Sequence, residues 1–228
     1  MSIPQNPQTT VIKNKYYPTG LTEGDIWAHY QKNKELIIKE IDKRPVLLFF
    51  FTDINKYIVK RKVLNSPFTL TFNNYDKIIS GRTVSISAEQ RKSTNVWIID
   101  IDPGPYTNDI QLKDCINDLL NSSISKMSTV KNYRVISTSK GYHLHFILSK
   151  NMNIDVSRKL LINYLNMEFK DKYLINTKSP QRSDINLDLT PTTSRGAYVV
   201  PYTLNRNGLK AVDCTKYWKH FNHREAIL

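Results

Sequence analysis

The sequence has few cysteines, no long apolar run and a shortage of acid. Its two cysteines, Cys115 and Cys214, are too few and too isolated for a disulfide framework or a paired-cysteine zinc site. No apolar stretch reaches membrane-spanning length, and the N-terminal "MSIPQNPQTT" contains no signal-peptide core. No repeat and no low-complexity linker breaks the chain. These absences exclude a disulfide-stapled or membrane-embedded protein and set the expectation of a soluble, cytoplasmic one. Only 20 Asp+Glu stand against 33 Lys+Arg, a net charge of +13. A surplus of that size points to a polyanionic partner, most commonly nucleic acid, and to nucleoid association. The 228 residues, 40% of them hydrophobic, suffice for one large domain or two small lobes around a sizeable core.

Residues 1–14 are polar and are expected to form a flexible N-terminus ahead of one domain spanning 15–228. "LTEGDIWAHYQKNKELIIKEIDKRP" reads as a single helix opened by a Thr22/Asp25 capping box and closed by Pro45, with Ile26, Tyr30, Ile37 and Ile41 on its apolar face. "VLLFFF" (46–51) and "YIVKRK" (57–62) read as a hairpin. Short strands are expected around "FTLTF" and "TVSIS", and another over 96–102. "DIQLKDCINDLLNSSISKM" reads as a helix capped by Asp109. "YRVIS" and "YHLHFIL" then form strands, "DVSRKLLINYLNMEF" a helix, and "INLDLT" and "AYVVPY" short strands. Helices and strands mix without a regular βαβ period, so the fold class is α+β.

One strand carries unusual chemistry. In "WIIDIDPGP" (97–105), Asp100 and Asp102 project from one face while Ile99 and Ile101 take the other. Adjacent carboxylates repel unless a cation neutralises them, and hard oxygen donors suit magnesium or manganese. Pro103, lacking an N–H, ends the ladder and leaves both acids at a strand mouth. The alternative is a strand end with two solvated aspartates. A second strand, "SDINLDLT", repeats the pattern, and its Asp188 is a candidate third carboxylate for a two-ion site. The alternative for Asp188 is a turn aspartate bonded to backbone.

In "STSKGYHLHF" (137–146) a tight loop of Ser137, Thr138, Ser139, Lys140 and Gly141 could aim N–H groups and a positive charge at an anion. His143 and His145 share the next strand's face, opposite Tyr142, Leu144 and Phe146. Phosphate contact and metal contact both remain open for them.

Together "DIDPGP", "STSKGYH" and "INLDLT…RGAYVVPYTL" resemble the archaeo-eukaryotic primase (primase–polymerase) superfamily, most closely the polymerase domain of bacterial DNA ligase D and its stand-alone archaeal relatives. "YYPTGLTEGDIWAHY" and "KRPVLLFF" follow that family's N-terminal order. The resemblance implies a primase–polymerase core of two mixed α/β parts with the active site between them. It implies addition of ribo- or deoxyribonucleotides to a DNA 3′ end in repair, end joining or priming, with two Mn2+ or Mg2+ ions as cofactors. It makes Asp100, Asp102 and Asp188 the metal-binding catalytic acids. It makes Ser137, Lys140 and His143 the nucleotide contacts, with Arg206 a place late for the family's arginine. Its partners are template and primer DNA and nucleoside triphosphates, and a separate DNA ligase or Ku-like protein is compatible with it.

Three features depart from the family. Phe49, Phe50 and Phe51 stand where a basic residue is common, with Lys60, Arg61 or Lys62 as substitutes. No histidine lies between His29 and His143, where the family often has one. Glu23 replaces a lysine that holds a gap's 5′-phosphate, so that phosphate is not expected to be held there. Two other readings stay open: a manganese-dependent nucleotide-sugar transferase, and a non-catalytic single-strand-binding module using some of the 13 tyrosines and 8 phenylalanines.

Overall fold

The computed structural model describes residues 20–54, 58–62, 68–138, 140–176, 184–205 and 208–228, with the side chains of 58, 59, 61, 62 and 224 left out. The expected flexible segment 1–14, Ser139, Arg206 and the side chains of Arg61 and Lys62 lie outside the described residues.

Helix α1 (Glu23–Lys32) opens as expected: Asp25 N donates to Thr22 Oγ1 at 3.1 Å and Thr22 N donates back to Asp25 Oδ2 at 3.0 Å. The single helix expected here is two, because Asn33 leaves helical geometry and its side-chain amide bonds to the His29 carbonyl at 2.8 Å. Helix α2 (Lys34–Ile41) restarts from Asn33 and ends before Pro45, where Asp42 and Lys43 turn left-handed at φ 47° and 59°. Arg44 donates to the carbonyls of Glu40 and Ile41, closing the helix end. Ile26, Tyr30, Ile37 and Ile41 are fully buried, as their helical spacing predicts.

Strands β1 (Val46–Asp53) and β2 (Ile58–Lys62) form the predicted hairpin. Where "FTLTF" suggested a strand, Thr69 makes only a bridge to Pro45, and helix α3 (Phe72–Ile78) follows. A reciprocal cap explains it: Thr71 N donates to Asn74 Oδ1 at 2.7 Å, and Tyr75 drops into the core with its hydroxyl on the Tyr30 carbonyl at 2.9 Å. Strand β3 (Thr83–Glu89) pairs with β1 and with β9 (Ala197–Val199), giving the sheet order β2-β1-β3-β9.

The second sheet is built on β4 (Ser93–Asp102), β5 (Val130–Ser137) and β6 (Tyr142–Asn153). With β7 (Leu174–Ile175), β8 (Asn186–Asp188) and β10 (Val212–Asp213), its order is β10-β5-β6-β4-β8-β7, antiparallel except for β7 with β8. Helices α4 (Asp109–Asn121) and α5 (Ile154–Phe169) cover one face. The cap of α4 is Asn108, not Asp109: Gln111 N donates to Asn108 Oδ1 and Asn108 N to Gln111 Oε1, both at 2.9 Å. The helix stops at Asn121, short of the expected Met127, because Ser122 is extended at ψ 172°. No helix among the described residues is long and apolar enough to cross a membrane.

Strand β4 lies between two cores. Trp97, Ile99 and Ile101 pack under α4 and α5 with Tyr142, Leu144 and Phe146. Ile98, on the opposite face, joins the core that α1–α3 and β1–β3 build with Tyr198 and Val200. Burying each such side chain contributes roughly 1.5–3 kcal/mol. Arg134 of β5 ties the two halves together: its guanidinium grips Glu40 of α2 at 2.9 and 3.0 Å and Asp213 of β10 at 2.8 and 3.0 Å. The architecture is mixed α+β, with two sheets and five α-helices among the described residues, and the face that bears Asp100 is turned toward the junction of the halves.

Candidate active site

Alternation along β4 settles the face. Ile99 and Ile101 are fully buried in the helix-covered core, so Asp100 and Asp102 project from the other side, as the sequence pattern predicts. The sheet register then builds a row. Asp213, Ile136, His143, Asp100 and Asp188 stand directly opposite one another on β10, β5, β6, β4 and β8. Cross-strand partners share a face, so Asp188 flanks Asp100 on one side and His143 on the other. His143 Nε2 lies 3.4 Å from Asp100 Oδ1. Asp102 stands opposite Asn186, one step nearer the strand mouth.

The electrostatics follow from this crowding. Burial first, then the charges of Asp100 and Asp188, push Asp102 up to about 6, against the pull of Lys140 and His143. Burial alone would lower His143, but Asp100 and the other two carboxylates outweigh it and raise its proton affinity. His145, one turn of the pleat away and stacked on His143 at 6.0 Å, is driven well below the usual histidine range by burial and by His143, Arg134 and Arg44. The two histidines are thus pushed in opposite directions: the acids favour the protonated form of His143, while burial favours the neutral ring of His145, which is wedged against Tyr198.

The loop residues take other places than the motif suggested. Ser137 is fully buried in the row whose Tyr142, Ile101 and Leu187 face the helix-covered core, and its hydroxyl accepts from Val212 N at 3.4 Å. It sits on the opposite face from the acids. The backbone N–H groups of Thr138 and Gly141 are turned into the loop itself, bonding Gly141 O at 2.9 Å and Thr138 Oγ1 at 3.3 Å. Gly141 is required by contact: a Cβ there would collide with the carbonyl oxygen of Ile101 and press on Pro103 Cδ at 3.2 Å. Lys140 remains exposed at the loop tip, near enough to the acids to lower Asp102's affinity for its proton.

Beyond β4, Gly104 N donates to Thr107 Oγ1 at 3.0 Å, turning the chain from the Pro-Gly-Pro stop into α4. Asp188 is partly engaged, since Oδ1 accepts from Thr190 N at 2.8 Å and from Thr190 Oγ1 at 2.7 Å. Thr192 was not singled out by its sequence, yet its hydroxyl accepts from Ile98 N at 2.8 Å and donates to Ile98 O at 2.7 Å, pinning the segment after β8 onto β4. Glu23 pairs with Arg82 at 2.6 Å at the start of α1, a pairing that suits a helix N-terminus and offers nothing to a phosphate.

Against a divalent ion, the donor chemistry fits in part. Asp100 and Asp102 are hard oxygen donors whose mutual repulsion a cation would relieve. Among the described residues no three His, Cys, Asp or Glu side chains close into a ready cage. Such an open set suits an ion that keeps waters and is completed by substrate phosphates, as magnesium usually does.

No family model matches the sequence, and no curated relative matches it. The fold is similar to that of a primase–polymerase domain. The polymerase domain from Mycobacterium tuberculosis ligase D, solved in complex with DNA, superposes with a TM-score of 0.70 at 16% identity, over 95% of this chain and 91% of that one. At that identity the likeness is one of fold, and it extends through both sheets of the primase–polymerase-like architecture.

Proposed function

We propose that this protein is a metal-dependent nucleotidyltransferase that extends a DNA primer along a template with ribo- or deoxyribonucleoside triphosphates. The observation that carries the reading is the row His143–Asp100–Asp188 with Asp102 one step beyond, on the sheet face toward the junction of the halves in a primase–polymerase-like fold. In the reaction a primer 3′-oxygen bonds to the α-phosphorus while the bond to the β-phosphate breaks and pyrophosphate leaves. Magnesium or manganese held by Asp100, Asp102 and the remaining oxygen of Asp188 would supply charge neutralisation and a more acidic hydroxyl. His143 and Lys140 contribute positive charge toward the triphosphate. The formal charge of +13 supplies the attraction for the DNA backbone. Manganese is the first ion to try; a DNA ligase or Ku-like partner belongs to the same reading if the pathway is break repair.

Primer extension on recessed, gapped and primer-free templates, with each nucleotide type and with Mn2+ or Mg2+, tests it. Extension lost in Asp100→Ala and Asp102→Ala is the expected result. Tight single-strand binding with no nucleotide addition under any condition would replace it with the binding-module reading.

A further inference from the structure

A cleft of about 940 Å³ lies on the other flank of the same sheet, between α1 and the segment around β10. Lys32, Lys210 and His29 line it, together with Tyr202 and Tyr217. Three acids also reach its wall, but each is turned to another partner. Asp25 accepts from Thr22 at 3.0 and 2.6 Å, Asp213 is gripped by Arg134 at 2.8 Å, and Glu225 accepts from Asn222 N at 3.1 Å. No ion pair is formed by Lys32 or Lys210 among the described residues. The two ammonium groups are close enough that Lys32, after burial, depresses the proton affinity of Lys210. His29 is held neutral: burial and both lysines lower it, and its Nε2 donates to the Tyr202 carbonyl at 2.9 Å. Tyr202 itself sits in a turn at φ 70°, a left-handed conformation uncommon for a bulky residue.

We infer that this cleft is a second phosphate-binding site, in which Lys32 and Lys210 together hold a phosphate group borne by a nucleic-acid strand or a nucleotide, with Tyr217 as a stacking surface. The inference rests on the nucleotidyltransferase reading for its choice of ligand, but its location is independent of the carboxylates. Asp213 on the cleft wall stands in the same cross-sheet row as Asp100, three strands away. At about 4.8 Å per strand that is about 14 Å. That separation is about four nucleotides at the roughly 3.4 Å axial rise of a duplex strand. Two lysines that share one concave site and form no ion pair with the acids on its wall are stabilised by a bound polyanion, which releases counterions as it binds.

The test is binding with metal chelated, so that the carboxylate site is silent. K32Q/K210Q and a charge-matched control on α5 and its C-terminal cap, K159Q/K170Q, are titrated with a 5′-phosphorylated single strand, the same strand ending in 5′-hydroxyl, and a free nucleoside triphosphate. The expected result is a loss of about fivefold or more for K32Q/K210Q on at least one ligand, with the control within twofold of wild type. Loss restricted to the phosphorylated strand identifies a terminal phosphate; equal loss on both strands identifies a backbone phosphate; loss on the triphosphate alone identifies a nucleotide. Equal weakening in both double variants, or none in either, overturns the cleft. Binding is read with metal chelated and primer extension with metal present, so failed primer extension and a failed cleft are read separately.

Discussion

At the scale of single residues, Asp102 is a residue working against its own fold. An acid raised to about 6 in the folded state and near 3.8 in the unfolded chain leaves the native state holding the extra proton between those values. Its charge therefore costs stability above about pH 6, and that cost is relieved as pH falls toward 4. Asp102→Asn is expected to raise metal-free stability at pH 7.5 by on the order of 1–3 kcal/mol, and the melting temperature with it, with the gain shrinking at pH 5. Manganese should stabilise wild type but not this variant, since a ligand that binds only the folded state shifts its stability. Calorimetry at two pH values, with and without the ion, checks all three. Gly141 acts through space rather than charge. Gly141→Ala drives a Cβ into the Ile101 carbonyl at the base of both acids, and should cost about 1–3 kcal/mol in urea unfolding as well as primer extension.

At the scale of elements, β4 does most of the placing. Its outward residues define the site face, and its neighbours β6 and β8 deliver His143 and Asp188 by register alone. Because side chains alternate, a slip of one residue between β4 and β8 would send Asp188 to the wrong face. Thr192 guards against it with two bonds to Ile98. Thr192→Val keeps the shape and strands a buried N–H and C=O, so it should cost about 1–3 kcal/mol. It should also reduce activity more than Thr193→Val, whose wild-type hydroxyl only closes a local turn onto Thr190 O. Chemical denaturation beside the extension assay distinguishes the two.

At the scale of the whole molecule, the two cores are joined by Arg134, and its partners are only partly exposed. Arg134→Leu leaves Glu40 and Asp213 without their cation and is expected to destabilise the protein by about 2–4 kcal/mol. Asp213 is raised by burial but lowered on balance by Thr215 and Arg134, so its contribution is complete above the ordinary carboxylate range and is lost as pH falls below it. Wild type should lose this term on acidification below pH 4, and the variant should show a smaller loss there. Urea midpoints from pH 7 to pH 3 measure it. The surplus of 33 Lys+Arg over 20 Asp+Glu should make log affinity for single-stranded DNA fall linearly with log salt, about 0.7 per phosphate neutralised. A flat titration would remove electrostatic DNA binding from the proposal.

The sequence by itself determined what local periodicity and composition can carry. Alternation put Asp100 with Asp102 on one side of their strand and His143 with His145 on one side of theirs, helical spacing named Ile26, Tyr30, Ile37 and Ile41 as core, and charge pointed to a polyanion. These are properties of a few consecutive residues, and no distant contact alters them. Short range also misled: Thr71 and Asn74 cap a helix inside an apparent strand, Asn33 splits a helix, and Asn108 caps one that Asp109 seemed to begin. There the deciding bond is between backbone and side chain, which hydrophobic pattern does not register. Only the tertiary structure decided that Ser137 faces the helix-covered core, that Gly141 is small because Ile101 is beside it, and that Asp188 divides its carboxylate between Thr190 and the site. Only register across five strands sets Asp213, Ile136, His143, Asp100 and Asp188 in one row. Which strands become neighbours depends on burying both faces of β4 at once, a requirement that no single segment of the chain expresses.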